Sequence, residues 1–402
     1  MDHSEPSGPR VLISGASIAG PSLAYWLDRH GFDVTVVERA PGIRPGGHAI
    51  DVRGPALEVA ERMGILHELR AQTVGMRGMS VVDGDGAELY RSTERTVSGG
   101  DLASADVEIL RDDLARIIVA AGGKAIEYLF DDSIAALEQD EDEVRVTFES
   151  GLRRSFDLVV GADGLHSHTR RLVFGPPEAF IRRLGTCMAV YTVPNFLGLD
   201  RWQVMYGIPG DGMRGGMVMS ARDNTEARAY LMFDPAEPIA GDYRDIDGQK
   251  ELVARELAGG GWHMPRLLEL MRAAADFHFD SASQIHLDSW SKGRVALLGD
   301  AGYCGSPLSG QGTTMAMVGA YVLAGELKAA GGDHAAAFTA YERELRTYVR
   351  ANQEVAITNL RQRRAQVERE MSGSGPEAAD ALAEADAASF AEVVGSYAVK
   401  DY

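Results

Sequence analysis

Short apolar runs alternate with longer amphipathic stretches along most of this chain, and the first such unit is the clearest. Residues 11–38 read VLISGASIAGPSLAYWLDRHGFDVTVVE. An apolar strand meets a glycine-bearing turn, an amphipathic helix follows, and a second apolar strand closes on Glu38, which together predict a βαβ unit. A strand pattern at residues 48–52 and a helix pattern at 54–63 come next. Between residues 76 and 90 the alternation predicts a hairpin turning at Asp83-Gly84-Asp85-Gly86. Residues 108–118 begin as a strand and continue as a helix, residues 134–137 and 144–148 are strands about an acidic turn, and residues 156–160 form another buried strand.

From about residue 180 to 280 the rhythm changes. Residues 186–193, 202–208, 215–220 and 227–233 look like strands joined by turns, without the helices that parallel pairing requires, so an antiparallel sheet in a separate lobe is expected. Period-two alternation sets Gln203 with Met205 on one face, Met217 with Met219, and Tyr230 with Met232. Such a face suits an adaptable hydrophobic pocket or a plain core. Helix patterns at 251–257 and 265–275 close this part. A buried strand at 293–300 then ends in Asp300, a loop of small residues runs to Gly312, and residues 313–329 form an apolar helix. Residues 336–370 predict a long charged helix, and the tail from 372 to 402 carries no chemical motif.

The whole-chain numbers narrow the function classes. At 402 residues there is room for two or three packed units. Lys plus Arg total 40 against 59 Asp plus Glu, a formal charge of −19. So acidic a surface argues against nucleic-acid and anionic-membrane partners, and any anionic ligand must be met by locally placed arginines. Cys187 and Cys304, 117 positions apart, support neither a disulfide framework nor a zinc ribbon. His166 and His168 lack a third clustered ligand, so no metal is expected. A polar N-terminus and the absence of any 18-residue apolar run predict a soluble, cytoplasmic protein.

Candidate chemistry gathers at three glycine-bearing strand ends. Gly15-Ala16-Ser17-Ile18-Ala19-Gly20 follows the dinucleotide fingerprint G-x-G-x-x-G except at Ser17. The helix entered at Ile18 aims unpaired N–H groups and its dipole at the turn, and a pyrophosphate satisfies both. Glu38, 23 residues after Gly15, stands where an acid takes ribose hydroxyls. Arg39 and Arg44 lie in the Pro/Gly-rich loop of residues 39–47, which is either a connector with solvated arginines or a place where backbone meets a flat ligand. Arg111, at a strand-to-helix junction, could reach a cofactor or simply pair with Asp112 or Asp113. The second strand end, Gly161-Ala162-Asp163-Gly164, is followed by Arg170, so that Asp163 and Arg170 offer opposite charges at one ligand. At the third, Gly299-Asp300 precedes Pro307-Leu308-Ser309-Gly310-Gln311-Gly312, a loop feeding a second helix N-terminus that can stabilise negative charge on a planar group.

These three motifs together resemble the single-component FAD-dependent aromatic hydroxylases, the flavoprotein monooxygenases of the para-hydroxybenzoate hydroxylase fold. That family carries G-x-G-x-x-G, then D-G-x-x-S-x-x-R, here Asp163-Gly164 with Ser167 and Arg170, then G-D and P-x-x-G-x-G, here Gly299-Asp300 with Pro307, Gly310 and Gly312. The resemblance implies an α/β fold: a Rossmann-like FAD-binding domain with an inserted antiparallel-sheet substrate domain and a long C-terminal helix. Residues 1–76, 102–178 and 284–330 would form the first, 77–101 and 179–283 the second, and 331–402 the bridging helix and tail. It also implies that Gly15, Ser17, Ile18, Ala19, Gly20 and Glu38 hold the adenosine half of FAD, with Arg39 beside them, and that Arg111 meets the pyrophosphate and ribityl region. Asp300 would take a ribityl hydroxyl, and Pro307, Gly310, Gln311 and Gly312 would line the isoalloxazine. Asp163 and Arg170 match the motif shared between FAD and NAD(P)H. In length and texture the chain is most similar to the tetracycline-inactivating monooxygenases, a comparison that puts Asp51 at the flavin and Arg44 at the nicotinamide dinucleotide.

The implied reaction consumes NADPH or NADH and O2 and inserts one oxygen atom, through a flavin C4a-hydroperoxide, into an electron-rich aromatic or polyketide-like small molecule. Gln203, Met205, Met217, Met219, Tyr230 and Pro307 are its candidate substrate contacts. No side chain is singled out as an acid or base, since Tyr191, Tyr206 and Tyr303 are equally placed by spacing. Where the family often has G-D-A-A-H, this chain has Gly299-Asp300-Ala301-Gly302-Tyr303. A monomer or weak homodimer is expected. The competing readings are a flavin-dependent reductase and a flavin-binding protein without monooxygenase turnover.

Overall fold

The computed structural model describes residues 8–98, 100–210, 212–237, 244–372 and 392–402. The opening apolar run becomes the strand Arg10–Ser14, flanked in parallel by Leu158–Gly161 and Asp33–Glu38. Those three sit inside a six-stranded sheet ordered Ser291–Lys292, Val295–Leu297, Leu158–Gly161, Arg10–Ser14, Asp33–Glu38 and Glu127–Phe130. Only its outermost pair, Ser291–Lys292 with Val295–Leu297, is antiparallel. Continuous apolar runs are what a sheet covered on both faces demands. On one face Val11, Ile13, Val36 and Val160 pack against the helices Ala19–Arg29, Arg111–Ala121 and Gly312–Ala329. On the other, Leu12, Val37, Val159 and Val295 meet a three-stranded antiparallel sheet built from Ile134–Gln139, Val144–Phe148 and Arg153–Phe156.

The expected single strand at residues 156–160 is therefore two strands in two sheets. Asp157 marks the crossing: its Oδ2 accepts from the Arg10 backbone N–H at 2.7 Å, and Oδ1 lies 3.3 Å from the Arg10 guanidinium. An ion pair and a backbone bond together fix the corner, and apolar continuity alone could not reveal it.

The second large sheet has seven strands in the order His278–Ile285, Ile181–Pro194, Glu226–Phe233, Arg214–Ala221, Gln203–Gly207, Met79–Val82 and Glu88–Ser92. All neighbours are antiparallel except Gln203–Gly207 with Met79–Val82, so the expected hairpin joins the sheet by a long-range parallel pair. Alternation divides its side chains as a pleat must. Cys187, Ala189, Tyr191 and Leu231 pack on the helices Ile246–Glu256 and Met264–Ala273, whereas Val190, Met217, Met219 and Tyr230 turn the other way. The first of these helices starts well before the expected residue 251, because the Asp245 carboxylate accepts from the Gly248 N–H at 3.0 Å and caps the added turn.

A two-stranded ribbon, Ala49–Val52 paired antiparallel with Val107–Leu110, lies between the two bodies: Val52, Val107 and Ile109 join the core of the helix Gly312–Ala329, and Ala49 joins the methionine cluster. The helix His334–Ser372 ties these parts together. Its Gln353 donates to the carbonyls of Ile285 and Cys304, and its Asn359 donates to Leu308 O. Within the tail, residues 373–391 lie outside the described residues. The end returns to the helix Gly312–Ala329, where Lys400 Nζ and Tyr402 Oη both donate to Glu326 Oε1, at 2.7 and 2.8 Å.

Candidate functional site

The three glycine-bearing motifs meet at one edge because their strands are consecutive neighbours: Ser14 pairs with Gly161, and Gly161 with Leu297. Parallel strands put all three carboxyl ends on the same side, where ligands of open α/β sheets bind. The fit is close. Gly15 has φ 110° and a Cβ there would lie 2.5 Å from Ala162 O, so the first motif rests directly on the second. A Cβ on Gly20 would lie 1.9 Å from Gly15 O. No side chain caps the helix Ala19–Arg29 or the helix Gly312–Ala329, which leaves both N-termini to be satisfied from outside the helix.

Ser17, the departure from the glycine pattern, has a partner. Arg111 Nη1 donates to Ser17 Oγ at 3.2 Å, while Nη2 donates to Arg44 O and Gly46 O at 3.2 and 3.4 Å. Arg111 is therefore not the partner of Asp112 or Asp113; those two carboxylates take Arg116 and Arg222. Burial lowers the Arg111 pKa, with help from Arg44, against the opposing charges of Asp112 and Glu38. Glu38 stands at the lip of the same turn, accepting from the backbone N–H of Ala16 at 2.9 Å and of Ala40 at 3.0 Å. Ile18 and Ala19 begin the helix behind it, and Arg39 and Arg44 are exposed. His48 is held neutral, its pKa pushed down to about 3 by burial and then by the neighbouring His278 and Arg111.

Asp163 and Arg170 do not present two open charges. Asp163 Oδ2 accepts from the Thr169 N–H and hydroxyl, both at 2.9 Å, and Oδ1 accepts from Ser167 Oγ. Arg170, 1% exposed, donates to Ala301 O at 2.7 Å and Leu165 O at 2.6 Å. Their physical work is to cap the helix His168–Val173 and to clamp the backbone beside Asp300. A charged group with its donors spent on buried carbonyls is part of the frame. Gly299 and Asp300 start the short helix Asp300–Tyr303, and burial raises the Asp300 pKa, the Cys304 thiol acting against it.

The loop that follows shows what is missing from the protein alone. Pro307 is exposed, Gly310 adopts φ 63°, and among the described residues the fully buried Gln311 has neither a donor for Oε1 nor an acceptor for Nε2. Buried amides are ordinarily paired, so one acceptor and one donor stand ready beside the glycine at Gly312. These groups fit FAD: the Gly15–Gly20 turn, Glu38 and Arg111 for the dinucleotide half, Asp300 for the polyol, Gln311 and the uncapped helix behind it for a flat heteroaromatic edge.

Register brings the five sheet candidates onto one face, in two rows: Gln203, Met219 and Arg228, then Met205, Met217 and Tyr230. Met217, Met219 and Tyr230 are buried there with Met76 and Val190. Gln203 does not offer a free amide, since Oε1 accepts from the Val97 N–H at 3.0 Å and Nε2 donates to Ser98 Oγ. Tyr230 Oη accepts from the Ala49 N–H at 2.9 Å, which fastens the sheet to the ribbon. The three tyrosines that spacing left open are all committed. Tyr191 donates to Leu267 O, Tyr206 accepts from the Gly261 N–H, and Tyr303 is packed on Trp290 with its hydroxyl bonded to that of Tyr341.

Four charged side chains near these groups were not singled out from the sequence. Arg228, 1% exposed, donates from Nε to Gly47 O and pairs with Glu226, yet Nη1 has no partner among the described residues. It helps line a cleft of about 440 Å³ with Pro45, Gly46, Arg222 and Asp276. Arg53, Asp106 and Glu108 belong to a buried charged group around Asp51, in which Arg53 Nη2 lies 2.8 Å from Asp51 Oδ2 and Nε 3.4 Å from Asp106 Oδ2. Burial raises the pKa of both Asp51 and Glu108, with the negative charge of Asp106 adding at Asp51 and that of Asp51 adding at Glu108. The signal for Arg228 was a charge within the largely apolar strand EARAYLMF, which is rarely tolerated without a partner. Among the described residues no cluster of three or more His, Cys, Asp or Glu could hold a metal ion, and no helix is long and apolar enough to cross a membrane.

Comparison with known proteins gives the family. A family model described as an FAD binding domain matches residues 9–362. A flavin-dependent monooxygenase of Legionella longbeachae serogroup 1 (strain NSW150) is 39% identical over 349 residues, 87% of this chain and 88% of that protein. An uncharacterized protein of Mycobacterium tuberculosis (strain CDC 1551 / Oshkosh) is 56% identical over 350 residues, 87% of this chain and 93% of that protein. The crystal structure of the tetracycline destructase Tet(51) superposes with a TM-score of 0.87 at 34% identity, covering 98% of this chain and 100% of that one. With three cofactor motifs on adjacent strands and relatives of this kind over most of its length, the chain belongs to the FAD-dependent aromatic hydroxylase family and is an FAD-dependent monooxygenase.

Proposed function

We propose that the protein uses NADPH or NADH to reduce its FAD and inserts one atom of O2 into an electron-rich aromatic or polyketide-like small molecule. Bound FAD would supply the chemistry as a C4a-hydroperoxide once reduced and oxygenated. The protein's own groups bind, orient and shield. Gly15, Gly20, Glu38 and Arg111 would fix the dinucleotide half, with Ser17 holding Arg111 in place. Gln311 and the uncapped start of the helix Gly312–Ala329 would stabilise the negative charge of reduced flavin. Met205, Met217, Met219 and Tyr230 would provide the apolar wall of the substrate site and exclude water. The seven-stranded sheet is thus assigned to the substrate and the six-stranded sheet to the cofactor.

One observation carries the reading: the buried amide of Gln311, with no partner for either atom among the described residues, stands at the start of the helix Gly312–Ala329 directly after the glycine-bearing loop. The similarity to a tetracycline destructase supports a polycyclic substrate class without fixing the compound. The test is to follow NAD(P)H oxidation, oxygen uptake and product mass with the FAD-loaded protein and a panel of phenols and aromatic polyketides. A product heavier by one oxygen atom is expected. Flavin that stays oxidised under NADH and NADPH with every compound in the panel would overturn the proposal.

A further inference from the structure

The ribbon Ala49–Val52/Val107–Leu110 has two unlike faces. Val52, Val107 and Ile109 enter the core, whereas Ala49 packs on the methionine cluster. Alternation puts Asp51 on the same side as Ala49, and the register sets Glu108 directly opposite Asp51. Residues so paired have Cβ atoms about 4.5–5.5 Å apart. Two carboxyls are therefore held side by side on the face that looks toward Tyr230, Met217 and Met219.

Their surroundings do not balance them. Arg53 pairs with Asp51 and Asp106 and lies near Glu108, so one guanidinium serves three acids. Ser98 bonds Glu108, and from the sheet the charged Arg228 and the neutral Tyr230 complete the shell. Asp51 Oδ1 and Glu108 Oε1 remain buried with no partner among the described residues. Like carboxyls this close do not both ionise, and they titrate as a pair. A purely structural pair would be expected to close its hydrogen bonds internally.

We propose that Asp51 and Glu108 form a one-proton carboxyl pair that recognises the substrate, one carboxyl donating a hydrogen bond and the other accepting one. The complementary ligand also carries one donor and one acceptor side by side, an ortho-hydroxy aryl ketone or an enolised β-diketone. The ionised member takes the proton of the substrate hydroxyl: the substrate O–H bond breaks, a carboxyl O–H bond forms, and the negative charge passes to the substrate oxygen. The other carboxyl keeps its O–H bond and donates a hydrogen bond to the adjacent carbonyl. No electrons are exchanged in this step, and the resulting phenolate or enolate is the more electron-rich form of the ring. This inference rests on the methionine face being the substrate side, as proposed above.

Two measurements on the FAD-loaded protein test it without turnover, so failure of oxygenation would not be mistaken for failure here. The first is infrared difference spectroscopy at neutral pH, in which a protonated-carboxyl band should be present and should be lost in both Glu108→Gln and Asp51→Asn. The second is calorimetric titration with 2-hydroxyacetophenone and its methyl ether, 2-methoxyacetophenone. The hydroxy compound should bind at least about ten-fold tighter, and Glu108→Gln should bring that ratio near one. A carboxyl band that survives both substitutions, or equal binding of the two ketones by the unaltered protein, would overturn the proposal.

Discussion

The turn at residues 15–20 and the ribbon at Asp51 and Glu108 both bring charge against buried apolar surface, and they treat it in opposite ways. Around the turn the nearby charges are matched: Glu38 accepts two backbone N–H groups, and Arg111 donates to Ser17 and to two carbonyls. In the ribbon, two carboxyls each keep an oxygen without a partner although Arg53 lies beside them. A matched site is rigid before its ligand arrives, which suits a cofactor that stays. An unmatched one retains hydrogen-bonding capacity for a molecule that comes and goes.

The largest expected effect breaks the matched side. Gly20→Ala forces a methyl group against Gly15 O and Ile13, with backbone on one side and core on the other. A loss of about 3–5 kcal/mol is expected, with the purified protein largely free of flavin. Thermal unfolding and the flavin absorbance of the preparation check it, and a normally folded, FAD-replete variant would show the turn to be looser than its contacts imply.

The next prediction sharpens the unmatched side through pH. Burial holds the Asp51 and Glu108 pKa values above those of the unfolded chain, so the native state binds the extra protons. The stability they contribute is complete below about pH 4 and is lost as pH rises through the raised folded values. Glu108→Gln removes much of that slope. It should stabilise the protein by about 1–2 kcal/mol at about pH 8 and change little near pH 4. A variant whose melting temperature differs from the parent by the same amount at both pH values would contradict the assignment.

The smallest effect returns to the turn. Ser17→Ala removes the acceptor for Arg111 Nη1 without disturbing backbone, and should weaken FAD binding about five-fold, or about 1 kcal/mol. Fluorescence titration of the apoprotein with FAD reads this directly; unchanged affinity would mean that Arg44 O and Gly46 O suffice to hold the arginine.

Much of the architecture was legible because burial on both faces writes itself into sequence. The strands at residues 11–14, 33–38 and 295–297 and the helix Gly312–Ala329 are apolar where the structure needs them to be. What could not be seen lies in tertiary partners. Nothing in the spacing of Asp51 and Glu108 says that they face each other, since their register is set by a pairing across 57 positions. The strand break at Asp157 depends on Arg10, and the commitment of Tyr191, Tyr206 and Tyr303 depends on helices and loops far away in sequence. Ser17 looked like a defect for the same reason: the residue that explains it is Arg111.

The neighbouring of Leu158–Gly161 with Val295–Leu297 has a consequence for how the protein is made. The opening βαβ unit and the hairpin at residues 134–148 use local contacts and can form early on the ribosome. The third wall of the cofactor site, with Asp300 and Gln311, emerges only after roughly three quarters of the chain has been translated. A complete flavin site therefore requires residues 295–312 to have left the ribosome, which puts its assembly after that of the opening unit.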